Sequence, residues 1–424
     1  MARARGANAV AALAFASSYG AVPTSGFRKI AFGSLDLGEE QGLIASELLG
    51  YGREPLAPSD DVINNEGNLN APVDVRLFGI HLKGLLGQPV TTQGVAALGT
   101  ITFAANPAAN DTITIAGQAF TFKASAALPT DIKIGATRAE TVRNAVWALN
   151  ASAVAAVMAA SYSTDRDAAV ITVTHDTIGT AGNTFALAAS AATVSGATLA
   201  GGSTAGPYNH VFTSGAQGLP DAAIEIGHPE VPSYRMNYGV TYNTLALPLQ
   251  RSGNLSATFG LIAQGERDPV AASVAGSVEE LVVDRFSQFA GEIGYAGVPL
   301  AEVVSGQVNY SNNMEKAENI RSDGRIDGVD PGQLTLTPVL TVRLIDQLLD
   351  TIVAGKQPIE LSYGWKRGPN QRLTFKHLAV RLPKAKPGIS GPTGIQRTYN
   401  GQGQKDALTG HSLVVTLVND VPSY

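Results

Sequence analysis

The amino-acid sequence predicts a mainly β, α+β protein: two tandem β-sandwich or half-barrel modules, each with a short helix, and one small inserted domain. Most apolar runs alternate with polar residues, which is the period of a half-buried strand. Helical periodicity is found only in short segments. Ala, Thr, Gly, Ser and Val account for 74 of the 113 residues in 94–206, whereas the flanking chain is rich in Tyr, Arg, Asn and Leu in strand-like runs.

The first part of the chain contains strand patterns, a long connection and one helix. Residues 27–32 alternate as in a strand. Residues 35–61 form a long polar segment that is interrupted by Gly and Pro. Residues 72–86 carry an apolar stripe at helical spacing, with Pro72 suited to the first turn and Gly87 as a stop signal. We therefore predict one helix over residues 72–86.

The segment from Gly94 to Gly206 predicts a guest domain inserted into a surface loop. Residues 112–115 and 119–122 predict the two strands of a hairpin around Gly117. Residues 137–151 predict an amphipathic helix. We expect a small α+β or Ig-like module, whose ends lie close together because insertions succeed at such sites.

The remaining chain repeats the order of the first part. Strand patterns in meander order occupy residues 207–270. A strand, a polar loop (311–333), a strand, a short helix (344–354) and further strands follow, with a long Gly/Pro/Lys loop at 383–409. The sequence thus predicts a discontinuous first module (1–93 and 207–270), the inserted domain (94–206) and a second module (271–424). Duplication is inferred from element order alone.

The composition favours a structural protein. The net charge of the 424 residues is −5, so the whole chain does not indicate a nucleic-acid clamp. Charged residues make up 15%, against roughly 25% in typical soluble domains, and neutral surface suits subunit contacts. Cysteine is absent, which excludes disulfides and thiolate chemistry. The start of the chain resembles a signal peptide in outline, but its apolar run is mostly alanine. The chain contains no run of 18 consecutive apolar residues, so we expect no membrane-spanning helix.

Catalytic and metal-binding patterns are not found. The six histidines have no zinc-type spacing. The carboxylates of loop 321–330 are four and three positions apart, whereas an EF-hand loop needs two. Two arginines lie among them, so we favour a solvated loop or an intersubunit salt-bridge strip. We predict no catalytic residues, no cofactor and no metal, and hence no enzyme.

Several segments resemble the tail tube (major tail) proteins of non-contractile-tailed bacteriophages. They are GLIASELLGYGREP at 42–55, DVINNEG at 61–67 and PVDVR at 72–76, with further likeness at 223–232 and 261–266. The resemblance covers most of residues 1–90 and 207–424. The inserted segment is similar, more loosely, to small decoration-type modules of phage tail proteins.

The resemblance implies a virion protein that assembles in the host cytoplasm into stacked rings around a channel. A chain with two sandwiches favours trimeric, pseudo-sixfold rings, with hexameric rings as the alternative. The implied partners are further copies of the chain, a tape measure protein, a tail terminator and a distal tail protein. Double-stranded DNA would pass through a neutral-to-acidic lumen without specific binding, and the inserted domain would project outward as decoration.

The long loops of the two modules would then bridge to neighbouring rings or subunits. The candidate contact residues on these loops are Arg53, Glu54, Asn64, Asn65, Glu66, Arg321, Asp323, Arg325, Asp327 and Asp330.

Other readings of the sequence remain open. Another virion structural protein, such as a tail-tip or capsid component, could use the same sandwich. An exported adhesin with a carbohydrate-binding inserted module is a second alternative, and an enzyme is a third.

Overall fold

A computed structural model describes residues 3–300, 302–345, 347–388, 391–392 and 394–424. Strands dominate it, as the alternating sequence predicts. The first elements are β1 (Val10–Phe15), β2 (Arg28–Lys29), β3 (Ser34–Leu35), β4 (Gly38–Ile44), β5 (Ser59–Pro72), α1 (Phe78–Leu86) and β6 (Val90–Thr102).

The Ala/Thr/Gly-rich segment forms its own small α+β unit. Its elements are β7 (Thr112–Ile115), β8 (Gln118–Lys123), β9 (Asp131–Lys133), α2 (Arg138–Asn150), β10 (Ala160–Thr164), β11 (Val170–Ile178), β12 (Leu187–Ala189) and β13 (Thr193–Val194). The chain then returns through β14 (Ser203–Thr213), β15 (Ala222–His228), β16 (Ser233–Leu249), β17 (Ser256–Ile262) and β18 (Gly265–Glu266).

The last part adds twelve strands and one helix to the described chain. They are β19 (Gly291–Tyr295), β20 (Val298–Pro299), β21 (Val303–Ser311), β22 (Glu315–Ala317), β23 (Gly328–Asp330), β24 (Thr335–Leu336), β25 (Val339–Arg343), α3 (Leu348–Gly355), β26 (Ile359–Lys366), β27 (Arg372–Arg381), β28 (Gln396–Asn400), β29 (Gln402–Gly403) and β30 (Leu413–Asn419). Short 3-10 turns occupy Gly6–Asn8, Thr180–Thr184 and Gln288–Ala290.

Two large antiparallel sheets form the body. The first runs β2-β1-β15-β16-β17-β5-β3 and continues from β16 through β21 and β25 to β28. The second runs β10-β11-β6-β14-β30-β27-β26-β19-β20, and its first two strands, β10 and β11, belong to the Ala/Thr/Gly-rich unit. A smaller sheet, β12-β7-β8-β9, belongs to the Ala/Thr/Gly-rich unit. Both large sheets therefore combine strands from the N-terminal and C-terminal parts of the chain.

One hydrophobic core lies between the two large sheets. The first sheet contributes residues such as Leu69 and Leu245, the second contributes Phe375 and Val415, and α1 contributes Leu82; all are buried. A second core fills the Ala/Thr/Gly-rich unit. Both predicted modules thus share one core, and the module boundaries at residues 93, 207 and 270 remain predictions.

Helix α1 begins later than the sequence predicts. Residues 72–77 were expected to be helical, but Pro72 ends β5 and the next residues are held by tertiary bonds. Val73 N donates to Leu255 O at 3.1 Å, and Val75 N donates to Asp284 O at 2.8 Å. The buried Asp74 carboxylate accepts from Leu77 N at 2.8 Å. These partners come from distant segments, so the local helical pattern does not decide residues 72–77.

Three other local expectations were also wrong in part. Helix α3 begins at Leu348, not at Leu344; residue 346, within the expected helix, lies outside the described residues. The expected loop 311–333 contains the hairpin β22–β23, and the expected loop 383–409 contains β28 and β29. Such short strands exist because a neighbouring strand supplies their hydrogen bonds, which local periodicity does not encode.

Candidate functional site

The ten candidate contact residues lie on two protrusions that the fold brings together. We call β4, residues 45–58 and β5 up to Glu66 the arm, and residues 315–330 with strands β22 and β23 the crossing hairpin. The arm belongs to the N-terminal part of the chain and the crossing hairpin to the C-terminal part. The crossing hairpin lies against the base of the arm, where Ile63 N donates to Gly324 O at 3.0 Å.

Ion pairs join the crossing hairpin to the arm. Arg325 binds Glu39 through two hydrogen bonds, with Nε to Oε1 at 2.7 Å and Nη2 to Oε2 at 3.0 Å. Both side chains are largely buried, and the hydrogen bond to Glu39 raises the pKa of Arg325. Lys316 pairs with Glu66. Sequence reasoning missed Glu39 and Lys316 because their partners are 286 and 250 positions away.

The acidic loop of the crossing hairpin is neutralised from within. Arg321 binds Asp323 through Nη2 at 3.0 Å and Asp327 through Nη1 at 2.7 Å. The hydrogen bond from Arg321 lowers the pKa of Asp323 to about 2. Asp330 is exposed at the end of β23. This arrangement is a salt-bridge strip, and among the described residues no group of three or more His, Asp or Glu side chains could hold a metal ion.

The tip of the arm exposes both charged and apolar side chains. Arg53 and Glu54 are exposed there. Three large apolar residues on the same tip, Leu48, Leu49 and Tyr51, are 64%, 92% and 67% exposed. Apolar side chains clustered at the end of a long protrusion indicate a surface that another molecule covers.

The two asparagines at the base of the arm differ in environment. Asn64 is exposed on β5, opposite Glu40 of β4. Asn65 is only 4% exposed, and its Nδ2 donates to Oδ1 of Asn237 at 2.8 Å. The side chain of Asn65 is therefore used inside the chain.

Part of the solvent side of the first sheet is an uncharged surface, which we call the neutral face. It consists of the side chains on β5, β17, β16, β21, β25 and β28 that alternate with the buried core residues. They are Asn68, Asn70, Thr244, Ala246, Pro248, Ser256, Thr258, Ser305, Gln307, Asn309, Ser311, Val339, Thr341, Gln396, Thr398 and Asn400. The charged residues that alternate with them lie at the two ends of the neutral face: Glu66 of β5 is opposite the last residue of β17, and Arg343 is the last residue of β25.

The solvent side of the second sheet has a different character. Lys366 and Lys376 project from β26 and β27 on the side opposite the core. The Nζ of Lys376 lies 2.8 Å from Oε2 of Glu360 on the neighbouring strand. The outer side of the second sheet therefore carries charged residues among its strands, which the neutral face does not.

Two edges of the first sheet are open. At one end, β4 pairs with β5. At the other end, β28 pairs with β25, and the described residues give its other side a single bridge, from Gln396 to Gly388. Open edges carry unpaired backbone groups that can add a strand from another chain.

The inserted unit is attached to the body at two points. Strands β6 and β14 run through its predicted ends, and Gly94 and Gly206 are adjacent in space. The second point is the turn of the hairpin β19–β20. Val298 of that hairpin is buried in the unit's own core, and Asn150 Nδ2 donates to Ala296 O at 2.9 Å. The ring of Tyr295 packs against Trp147 with centroids 5.6 Å apart.

The buried histidines have structural surroundings. His81 Nδ1 lies 2.9 Å from the Tyr242 hydroxyl, and burial lowers its pKa to about 4. His377 packs on the Tyr363 ring, and burial lowers its pKa to about 3. Both lie on core-facing positions of the body. None of the described helices combines the length and apolar character that a bilayer span needs.

Comparison with known proteins gives one family. The family model described as phage tail tube protein matches residues 6–403. It therefore extends across both large sheets and the inserted unit. No curated protein matches the chain.

Proposed function

Because the chain belongs to the family of phage tail tube proteins, we propose that three copies close into a pseudo-sixfold ring and that such rings stack into a hollow tube. As a member of this family, the chain is a structural component of the virion tail that self-assembles into a tube with other tail components. Such a role is non-enzymatic. The proposal concerns the ring, its contacts and the cargo.

The open first sheet is the observation that carries the ring proposal. Two of its edge strands, β4 and β28, lie at opposite sides of the six strands that carry the neutral face. Pairing of one copy's β28 with the arm strands of the next would continue the sheet from chain to chain and remove the exposed edges. A head-to-tail contact of this kind closes into a ring when the rotation that relates neighbouring copies is a whole fraction of a full turn. Rings of six chains are the alternative count.

The arm is the proposed contact between successive rings. Its tip extends beyond the base that the crossing hairpin holds through Arg325, and Leu48, Leu49 and Tyr51 leave apolar surface on it uncovered. Arg53 and Glu54 add charges that can pair with a neighbouring ring. Within one chain the ion pairs fix the base of the arm, so the tip is presented in a defined direction.

The proposed cargo is double-stranded DNA, which passes along a neutral-to-acidic lumen without specific binding. The net charge of −5 agrees with a wall that does not attract phosphates. A tape measure protein, a tail terminator and a distal tail protein are the proposed partners inside and at the ends of the tube. The inserted unit grows from strands β6 and β14 of the second sheet, and we assign it the role of an outward decoration.

Negative-stain electron microscopy of the purified protein tests assembly directly. Long hollow tubes are expected, and end-on views should give three chains per ring with six-fold pseudo-symmetry. The proposal would be contradicted if the purified protein stayed dispersed at high concentration and if virions contained no multimer of it.

A matched pair of variants tests the arm. Leu49→Asp places a charge on a 92% exposed tip residue, and we expect folded subunits that form no tubes. Leu128→Asp places the same charge on a 63% exposed residue of the inserted unit, and we expect tubes of normal length. Normal tubes from Leu49→Asp would show that the tip makes no ring contact.

A further inference from the structure

The solvent side of the first sheet has a composition that its core does not explain. On the six strands of the neutral face, only the inner side packs on the main hydrophobic core, so the outer side is free to carry Lys, Glu, Asp or Arg as protein surfaces ordinarily do. Instead, across β17, the second half of β16, and β21, the outward residues are Ser, Thr, Asn, Gln, Ala and Pro. We propose that this neutral face lines the lumen and forms the uncharged surface along which the DNA slides.

Six of the polar side chains on the neutral face are paired with one another. Asn70 Nδ2 donates to Thr258 Oγ1 at 3.2 Å, and Gln307 Nε2 donates to Asn309 Oδ1 at 2.7 Å. The hydroxyls of Thr341 and Thr398 lie 3.0 Å apart. Side chains engaged with each other leave fewer donors for phosphate oxygens. Their remaining groups bond water, which exchanges for another partner at little net gain.

The other large surface is unsuited to the same task. The outer side of the second sheet carries Lys366, and it also carries Lys376, which is paired with Glu360. A lysine that neutralises a phosphate releases counterions and gains salt-dependent affinity. Repeated in every ring of a long tube, such contacts would hold the DNA in place. The absence of charge from the middle of the neutral face avoids this.

The position of the inserted unit supports the same assignment. It grows from β6 and β14 and packs on the turn between β19 and β20, and all four strands belong to the second sheet. A unit of this size inside the channel would block it. The second sheet therefore faces outward, and the first sheet is left to face the axis.

The charged residues of the neutral face lie where rings would meet. Glu66, paired with Lys316, is at one end of the strands, and Arg343 is at the other. Between these ends the wall of each ring is uncharged. The lumen would consequently be neutral along most of its length. Of the neutral-to-acidic range expected from the sequence, this selects the neutral end.

The chain contains no cysteine, so in a single-cysteine variant a thiol reagent labels only the introduced residue. We would compare Thr258→Cys and Gln307→Cys on the neutral face with Thr374→Cys on the outer side of the second sheet. All three positions are partly exposed strand residues that face away from the core. Each variant is labelled as dispersed subunits and as tubes. One reagent is a small maleimide dye, and the other is a maleimide coupled to a globular protein wider than a DNA duplex.

In dispersed subunits, all three cysteines should react with both reagents. In tubes, Thr258→Cys and Gln307→Cys should lose reaction with the bulky reagent and keep reaction with the small dye, whereas Thr374→Cys should react with both. Equal bulky labelling of Thr258→Cys in tubes and subunits would overturn the lumen assignment.

The inference depends on the proposed tube, but the two fail differently. If no variant and no parent protein forms tubes, the proposed function fails. If tubes form and the neutral face is labelled from outside, only the lumen assignment fails.

A charge substitution tests the sliding surface itself. Thr258→Lys should slow DNA release from virions, and added salt should relieve the delay because phosphate contacts weaken with salt. Thr374→Lys adds the same charge to the second sheet and should leave release unchanged. Unchanged release from assembled Thr258→Lys virions would contradict a DNA-facing position.

Discussion

His377 makes the body of this protein sensitive to acid. It is completely buried, and neither ring nitrogen has a hydrogen-bond partner among the described residues. Burial disfavours the charged imidazolium and lowers the pKa to about 3, whereas the unfolded chain has a pKa near 6.5. The folded state therefore keeps the ring neutral over a pH range in which the unfolded state takes up a proton.

The stability due to this neutral ring is full above pH 6.5 and is lost as the pH falls from 6.5 toward 3. The loss is about 1.4 kcal/mol per pH unit in this window. We expect His377→Leu to remove this share of the pH dependence. Denaturant unfolding of the dispersed subunit at pH 7, 6 and 5 measures it, and an unchanged slope in the variant would contradict the assignment.

Two glycines with the same local conformation have different surroundings. Gly117 and Gly297 each follow an alanine in a two-residue hairpin turn, with φ of +85° and +83°. A Cβ on Gly117 meets nothing within 4 Å, whereas a Cβ on Gly297 would overlap the Tyr162 carbonyl oxygen. Substitutions at these two glycines therefore distinguish the cost of backbone strain from the cost of a clash with the inserted unit.

We expect Gly117→Ala to cost about 1 kcal/mol of unfolding free energy through its left-handed φ. Gly297→Ala should cost about 1–3 kcal/mol more, because the hairpin turn must move away from β10. Denaturant unfolding measures both costs, and hydrogen exchange should rise in residues 160–164 only for Gly297→Ala. Equal costs would show that the turn is not held against the inserted unit.

At the scale of elements, the arm and the crossing hairpin act as one unit. Arg325 and Glu39 join them through two hydrogen bonds with both side chains largely buried, so solvent screens this pair less than a surface pair. Arg321 forms its ion pairs with Asp323 and Asp327 inside the crossing hairpin. The two arginines therefore provide a matched comparison.

A double-mutant cycle of Arg325→Met and Glu39→Gln should give a coupling energy of about 1 kcal/mol. Arg325→Met should also increase hydrogen exchange in β4, whereas Arg321→Met should leave β4 unchanged and affect only the crossing hairpin. Denaturant unfolding and exchange measured by mass spectrometry test these outcomes. Zero coupling would mean that the backbone contact at Gly324 is sufficient.

For the whole molecule, the second attachment of the inserted unit decides how separable it is. Gly94 and Gly206 are adjacent, so a short glycine link can replace the residues between them. The deletion also uncovers Val298, which is buried in the unit's core, and Tyr295, which packs on Trp147. The unit is therefore expected to stabilise the body as well as to decorate it.

We expect the deletion variant to fold with reduced stability, because it exposes apolar surface on the β19–β20 hairpin. Adding Val298→Thr should improve its solubility. The variant should still form tubes, because the neutral face and the arm are retained. Folded subunits that no longer assemble, seen by electron microscopy, would contradict a peripheral role for the inserted unit.

Local signals predicted some elements closely. Helix α2 was expected at 137–151 and spans Arg138–Asn150, because Thr137 caps it and its side chain accepts from Glu140 N. The hairpin β7–β8 turns at Ala116–Gly117 as its glycine indicates. Of the candidate contact residues, Arg53 and Glu54 are exposed, whereas Asn65 is buried against Asn237; their contacts with other subunits remain predictions. Alternation within the arm does not show which face a distant segment covers.

The sequence by itself determined the β-rich class, the compositional break at the inserted unit and the resemblance to tail tube proteins, because composition, periodicity and motifs are properties of neighbouring residues. Only the tertiary structure decided that both halves share two sheets and one core. It also decided that Glu39 meets Arg325, and that the uncharged residues of six strands form one surface. Strand order and register bring together residues hundreds of positions apart, and no local pattern specifies those pairings.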